Sequence, residues 1–283
     1  MSEPIAIVGS AFRLPGNVND FDALWTSLCE GLWENSSTLP PASRTLLSDD
    51  SRCSPVRAGW VGELGVEQFD PSFFGITPGE ADILRPNSRL SLELAWEALE
   101  RAGIPASSIR GKNVSVSIAM GSEDGWDMRR YAEEGSKSFD HVWAQNADPS
   151  GVAGRVAHFL DLQGATAMVS GACASGGVAL DYGTPLLLLN LIDPDITPAS
   201  AVHTLMSQGA EIAIVGSVTT HFTPAPFVWA REVGAMSKSG RCWTFSENAD
   251  GYSPSVCPVV PFRKTRSLNH VTPWGRKEQC SLC

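Results

Sequence analysis

The strongest constraint on this fold is the stretch from Met168 to Leu180, where a short apolar run enters a cluster of very small residues and continues as a helix-like segment. Small residues on both sides of Cys173 let the backbone turn sharply and let a substrate approach the sulfur closely. At the N-terminus of a helix, unpaired N–H groups and the helix dipole favour a thiolate. Cys173 is therefore a candidate nucleophile. The alternative interpretation is a buried, inert cysteine, the commoner state of this residue.

Composition narrows the class of protein. With 283 residues, 43% of them hydrophobic, the chain can form one large domain or two ordinary ones around a sizeable core. A net charge of -10 argues against a nucleic-acid surface. The N-terminus lacks a signal peptide's basic and apolar regions, and an odd number of cysteines favours reduced thiols. We expect a soluble, cytoplasmic protein that binds no membrane, metal or cofactor.

Hydrophobic periodicity predicts both strands and helices. Strands are predicted at Ile5–Val8 and Val114–Ala119, the second half-buried because apolar residues alternate with serine. Asp20 is predicted to cap a helix that ends at Gly31 and packs its apolar side into the core. A longer helix is predicted from Asn87 to Ala102. Residues 123–150 show no period, and their adjacent acidic pairs are predicted to be solvated.

The segment Asp161–Gly164 followed by Val169–Ser175 resembles the active-site region of the β-ketoacyl synthases, specifically the ketosynthase domain of iterative type I polyketide synthases. Further stretches resemble that domain in the same order: Pro4–Gly9, Arg13–Gly16, Phe69–Ala81, Pro86–Glu100, Glu211–Ser217 and Met236–Tyr252. The resemblance assigns residues 1–256 to the N-terminal region of a β-ketoacyl synthase. It implies that Cys173 accepts an acyl group from a carrier-protein thioester in polyketide secondary-metabolite biosynthesis.

The resemblance also implies partners for Cys173 that this sequence does not show. Family members use two histidines and a glycine-rich loop, all from downstream motifs, to stabilise charge during decarboxylative condensation. None of the histidines here matches those motifs: His141, His158, His203, His221 and His270. We therefore expect an acyltransferase-family chain that is not competent for condensation alone. The alternative is a non-catalytic remnant or interaction module from a truncated or incorrectly predicted gene.

Two segments depart from the family pattern. Residues 183–201 lengthen the connection after Cys173, and their glycine and prolines are predicted to interrupt the family's buried helix. We interpret them as unspliced intron or a shifted reading frame, with a genuine loop insertion as the alternative. Residues 257–283 form a basic, divergent tail that we expect to be disordered.

The fold implied by the resemblance is α/β and thiolase-like, with only the N-terminal half present as a mixed sheet flanked by helices. In the family, a second half covers an apolar face of the first. A chain that exposes such a face is expected to aggregate, to form a homodimer or to recruit a partner chain.

Overall fold

The computed structural model describes most of the 283-residue chain. The described residues are 5–31, 58–59, 61, 68–120, 125–138, 143, 146, 148–180, 210, 212–223, 225–254 and, for the backbone, 257–264. The predicted insert at 183–201 and the tail beyond residue 264 lie outside them.

A five-stranded mixed sheet forms the centre of the structure. Its strands are β1 (Ile5–Ala6), β2 (Val114–Met120), β3 (Thr166–Val169), β4 (Ile212–Thr219) and β5 (Cys257–Lys264), in the spatial order β1-β5-β4-β2-β3. Strand β2 runs parallel to β3 and β4, whereas β5 is antiparallel to β4 and β1. The predicted mixed sheet is confirmed.

Helices follow or precede these strands along the chain. They are α1 (Phe21–Glu30), α2 (Pro78–Ile83), α3 (Pro86–Arg101), α4 (Trp126–Glu134), α5 (Gly151–Phe159) and α6 (Ala225–Glu232), and a helical segment covers residues 175–180. No helix in these ranges is long and apolar enough to cross a membrane.

One face of the sheet carries large branched side chains, and we call it the large-residue face. It is formed by every second residue of β2 and β4: Val114, Val116, Ile118, Ile214 and Val218. These pack against buried residues of α3 and α5, including Leu92, Leu99, Val152 and Val156. Each fully buried aliphatic side chain stabilises the fold by about 1.5–3 kcal/mol. The predicted helix at Asn87–Ala102 is confirmed by α3.

The opposite face carries small side chains, and we call it the small-residue face. It includes Ser117, Ala119 and Ala213, which lie under the helical segment 175–180. The prediction that β2 is half-buried is therefore wrong, because all seven of its residues are buried. The serines mark a second covered face rather than a solvated one, as is usual in parallel sheets.

Helix α1 has the predicted ends but not the predicted environment. The Asp20 carboxylate accepts a hydrogen bond from Ala23 N at 2.8 Å, and Gly31 ends the helix with φ 64°. No residue of α1 is buried, and Trp25 is 62% exposed. The prediction of core packing is wrong here, because a periodic apolar pattern identifies a face without identifying what covers it.

Two further segments differ from expectation. Helix α4 lies where no period was predicted, and it carries ion pairs at i,i+4 spacing, Arg129–Glu133 and Arg130–Glu134, each at 3.0 Å. Such pairs stabilise helices without an apolar stripe. The first eight residues of the predicted tail form strand β5. Their Pro-Val-Val-Pro-Phe core is apolar and rich in strand-favouring residues, which outweighs the lack of a clear period.

Candidate active site

Cys173 lies at the carboxyl edge of the parallel strands. Strand β3 ends at Val169, and the chain then forms a tight turn over residues 171–175, which we call the cysteine turn. The helical segment 175–180 follows directly. Cys173 is exposed at this turn, as a nucleophile requires, and it is not the buried cysteine of the alternative interpretation. Parallel strands of α/β folds commonly bind ligands at this edge.

Ser175 holds the cysteine turn together. Its Oγ accepts a hydrogen bond from Gly171 N at 2.9 Å and donates to Ala172 O at 2.6 Å. The side chain is buried, so both bonds are shielded from water. Ala172 has φ 50°, a left-handed conformation that costs a non-glycine residue about 1–3 kcal/mol. The braced turn therefore fixes the backbone on both sides of Cys173.

The small residues around Cys173 also have a packing role. A Cβ on Gly176 would lie 3.3 Å from Ser217 Oγ of β4, and one on Gly171 would lie 2.8 Å from Val178 Cγ2. Ser117 Oγ of β2 donates to Ala179 O at 3.3 Å. These close approaches set the helical segment 175–180 tightly on the small-residue face. The small residues thus serve close packing as well as the substrate access that the sequence predicts.

A second loop, residues 236–252, is closed by the side chain of Asp250. Its carboxylate accepts hydrogen bonds from Ser237 Oγ at 2.6 Å and from the backbone N of Lys238 and Ser239 at 3.1 Å each. The Ser237 hydroxyl is the main reason that the pKa of Asp250 is lowered, and the N–H donors add to it. We call this segment the Asp250 loop.

The Asp250 loop carries Tyr252 towards Cys173. Tyr252 N donates to Ala235 O at 2.9 Å, and Ser237 N donates to Tyr252 O at 2.8 Å. Burial raises the pKa of Tyr252, and the charge of a Cys173 thiolate raises it further. The phenol therefore keeps its proton at neutral pH. No sequence pattern predicts a role for Tyr252, although this residue ends a stretch that resembles the family.

The described histidines do not complete the site. His158 is exposed on α5, and His221 follows β4 with Nδ1 buried and without a hydrogen-bond partner in the described residues. Burial lowers the pKa of His221 to about 4, so the ring is neutral at physiological pH. His141, His203 and His270 lie outside the described ranges. Within those ranges no three His, Cys, Asp or Glu side chains group closely enough to hold a metal ion.

Apolar side chains near the cysteine turn face solvent. Val178 and Leu180, on the helical segment after Cys173, are about two-fifths exposed, and Tyr252 is exposed to a similar degree. Phe245 of the Asp250 loop is fully exposed and has φ 61°. The structure therefore leaves apolar surface uncovered at the elements that carry the candidate site.

The family comparison covers nearly the whole described structure. The profile of the family "Beta-ketoacyl synthase, N-terminal domain" matches residues 2–193 and 198–255. The break between these ranges falls inside the segment 183–201 that the sequence analysis set apart. Cys173 and Tyr252 both lie within the matched ranges.

Individual relatives agree with this assignment. Hispidin synthase of Neonothopanus nambi is 33% identical over 264 residues, which cover 93% of this chain and 14% of that protein. The cluster 41 polyketide synthase of Aspergillus flavus is 34% identical over 256 residues, covering 88% of this chain and 20% of that protein. The chain thus spans a small part of the relatives' length.

A solved structure confirms the expected fold. The ketosynthase from module 6 of the bacillaene synthase of Bacillus subtilis 168 superposes with a TM-score of 0.69 at 25% identity. The superposition covers 92% of this chain and 39% of that one. On the family profile, the polyketide synthase relatives and the shared fold, this chain belongs to the β-ketoacyl synthase family, whose N-terminal domain it matches.

Proposed function

We propose that this chain supplies the acyl-accepting part of a ketosynthase site in polyketide biosynthesis, with Cys173 as the nucleophile. The observation that supports this most is the exposed thiol on a braced turn at the carboxyl edge of the sheet, inside the matched family region. We place the reaction in the cytoplasm, where exposed thiols such as those of Cys29, Cys173 and Cys242 stay reduced.

The proposed step is a thioester exchange. Cys173 loses its proton, and the thiolate attacks the carbonyl carbon of an acyl thioester on a carrier protein. The tetrahedral intermediate collapses as the carbon–sulfur bond to the carrier breaks. The carrier thiolate leaves and takes up a proton, and the acyl group remains on Cys173. The carrier's departure thus requires no group beyond Cys173 and water.

Condensation is a separate step with further requirements. It needs groups that stabilise charge on a decarboxylating malonyl thioester, and this sequence contains no counterpart of the family's two histidine motifs. Loss of a single charge-stabilising donor typically costs about 10² to 10³ in rate. We therefore limit the proposal for these residues to acyl transfer, with any condensation completed by groups from elsewhere.

Acylation of the purified chain tests this proposal. The protein is incubated with a hexanoyl thioester of N-acetylcysteamine, and the adduct is located by intact mass and peptide mapping. We expect one acyl group on Cys173, attached at least about tenfold faster than on Cys29 or Cys242, because Cys173 lies on the turn braced by Ser175 at the start of the helical segment 175–180. Cys173→Ala abolishes this adduct. Equal labelling of Cys29, Cys173 and Cys242 would remove the basis for a dedicated nucleophile.

A second candidate function is a non-catalytic interaction module. The exposed apolar side chains Val178, Leu180 and Phe245 favour it, because exposed apolar surface commonly marks a site of interaction with a partner. Light scattering after gel filtration separates the two proposals. An interaction module forms a dimer or complex that Cys173→Ala leaves unchanged, and it shows no selective acylation.

A further inference from the structure

An open cavity of about 800 Å³ lies away from the cysteine turn. It is bounded by the middle and last turns of α3, the segment after β1 and the turn before α2, and no residue of the cysteine turn lines it. Its volume is within the range of small-molecule sites in proteins. The proposed acyl transfer makes no use of it.

Aromatic rings form one wall of the cavity. Phe69 and Phe74 stack with ring centroids 5.1 Å apart, and both line the cavity together with Trp96. Phe73 contacts Trp96 edge to face at 5.0 Å, and Phe159 supports Phe74 at 4.9 Å. The Trp96 Nε1 donates to Glu100 at 2.8 Å, which fixes the indole orientation. The wall is therefore held in place without a ligand.

The basic groups at the cavity are already neutralised. Arg13 forms a forked ion pair with Glu97 and also donates to Phe12 O. Arg101 donates to Ser10 O at 3.1 Å and Asn19 O at 2.9 Å. Neither guanidinium is left available for an anion, so the cavity is not an anion site.

Glu93 differs from these groups. It lines the same cavity one helical turn from Glu97, and its carboxylate has no hydrogen bond or ion pair with any described residue. The charged groups that act on it are Arg13, Arg89 and Glu97. Arg89 instead donates to Leu84 O at 3.0 Å and Ala81 O at 2.7 Å. A half-buried carboxylate without a partner, next to aromatic faces, is the pattern of a cation receptor.

We propose that this cavity binds an organic cation, a guanidinium or ammonium group on an aliphatic stem, with Glu93 as the counter-ion. The stem packs against Phe69, Phe74 and Trp96, and the cationic head reaches the carboxylate across their faces. Two sources carry this chemistry: an arginine or lysine side chain of a protein segment, and a free alkyl amine or guanidine.

Burial raises the pKa of Glu93 to about 7, with Arg13 and Arg89 opposing the rise and Glu97 adding to it. A bound cation stabilises the ionised Glu93 carboxylate, because it replaces the interactions with water that burial removes. Cation binding then requires the ionised form, so affinity falls as the pH drops below about 7.

Calorimetric titration of the full chain at pH 8 tests the proposal. The probes are n-butylguanidinium, the peptide acetyl-Gly-Arg-Gly-amide, and the same peptide with citrulline, a neutral isostere of arginine. We expect the arginine peptide to bind at least about tenfold more tightly than the citrulline peptide, since Glu93 pairs only with the charged head. A tenfold preference for the arginine peptide over butylguanidinium identifies a protein segment as the source, and equal affinity identifies a free cation.

Variants of α3 make the test specific. Glu93→Gln is expected to remove the preference for arginine over citrulline, whereas Glu93→Asp retains it and Glu232→Gln, on α6 and outside the cavity lining, leaves it unchanged. Between pH 8 and pH 6 the natural protein loses about tenfold in affinity and Glu93→Gln loses none. Circular dichroism confirms that each variant is folded. Equal binding of the arginine and citrulline peptides, or full binding by Glu93→Gln, would overturn the proposal.

Discussion

Helices cover the two faces of the central sheet in different ways. On the large-residue face, branched side chains of β2 and β4 meet α3 and α5, and this part of the core is complete. On the small-residue face, alanines and serines bring the helical segment 175–180 close to the sheet, but the far side of that segment remains exposed. The first face supplies stability, and the second supplies the placement of Cys173.

The largest loss of stability is expected from a substitution that creates a cavity on the large-residue face. Ile214→Ala removes a fully buried side chain and should lower the free energy of unfolding by about 3 kcal/mol. Leu180→Ala, on the exposed side of the segment after Cys173, should change it by at most about 0.5 kcal/mol. Urea denaturation followed by circular dichroism measures both. Similar losses in the two variants would show that the two sites contribute equally to the free energy of unfolding.

A larger side chain on the small-residue face tests whether this face positions the cysteine turn. Ala213→Leu places a larger side chain under the helical segment 175–180 and should cost about 2 kcal/mol. It should also displace the cysteine turn, so we expect the rate of Cys173 alkylation by iodoacetamide to change several-fold. Cys29, on α1, serves as the internal reference. An unchanged ratio of the two rates would mean that the turn does not depend on this packing.

Acid should weaken the fold through His221, at the end of β4. Its pKa is lowered in the folded protein, from 6.5 to about 4, so the unfolded chain binds the proton more strongly. Stability is therefore full above pH 6.5 and is lost as the pH falls towards 4, by about 2 kcal/mol between pH 7 and 4.5. His221→Phe, which fits beside Phe227, should flatten this slope in thermal melts. A parallel slope in the variant would assign the acid sensitivity to other groups.

Glu93 should make the stability of the protein depend on pH in the opposite direction. Its folded pKa is raised from 4.5 to about 7, so ionisation is disfavoured in the fold and stability is lost as the pH rises through this window. Glu93→Gln should therefore stabilise the protein at pH 8 by about 1 kcal/mol, allowing for solvent screening, and have no effect at pH 4. Melts at the two pH values, with the exposed Glu232→Gln as the control, measure the difference.

The smallest global effect is expected at α1. Asp20→Ala removes the helix cap, which is worth about 1 kcal/mol to the helix itself. Because α1 buries no residue, we expect faster hydrogen exchange within Phe21–Glu30 but a global change below about 0.5 kcal/mol. A larger global loss would show that α1 is coupled to the core.

Local signals predicted much of this structure. The Asp20 cap, the Gly31 stop, helix α3 and the turn at Cys173 all follow from short sequence patterns, because each depends on neighbouring residues. Resemblance to a family then supplied the α/β, thiolase-like fold, whereas periodicity gave only separate strands and helices.

Burial and cross-chain contacts could not be predicted in this way. The serines of β2 look the same in sequence whether they face water or Ala179, and only the packed structure decides. The same holds for the exposed apolar side of α1 and for Ser175 bracing Gly171. Glu93 lies among helix-favouring residues, and its sequence context does not show whether its carboxylate is paired. Only the structure shows that Arg13 pairs with Glu97 and not with Glu93.

The position of β5 has a consequence for the order of folding. Strand β1 pairs only with β5 among the described strands, and β5 separates it from β4. During synthesis, Ile5–Ala6 leaves the ribosome well before Cys257–Lys264, its strand partner. Pairing across such a separation is slow. Strand β1 is thus among the last of the described strands to join the sheet, and the nascent chain must remain protected from aggregation until then.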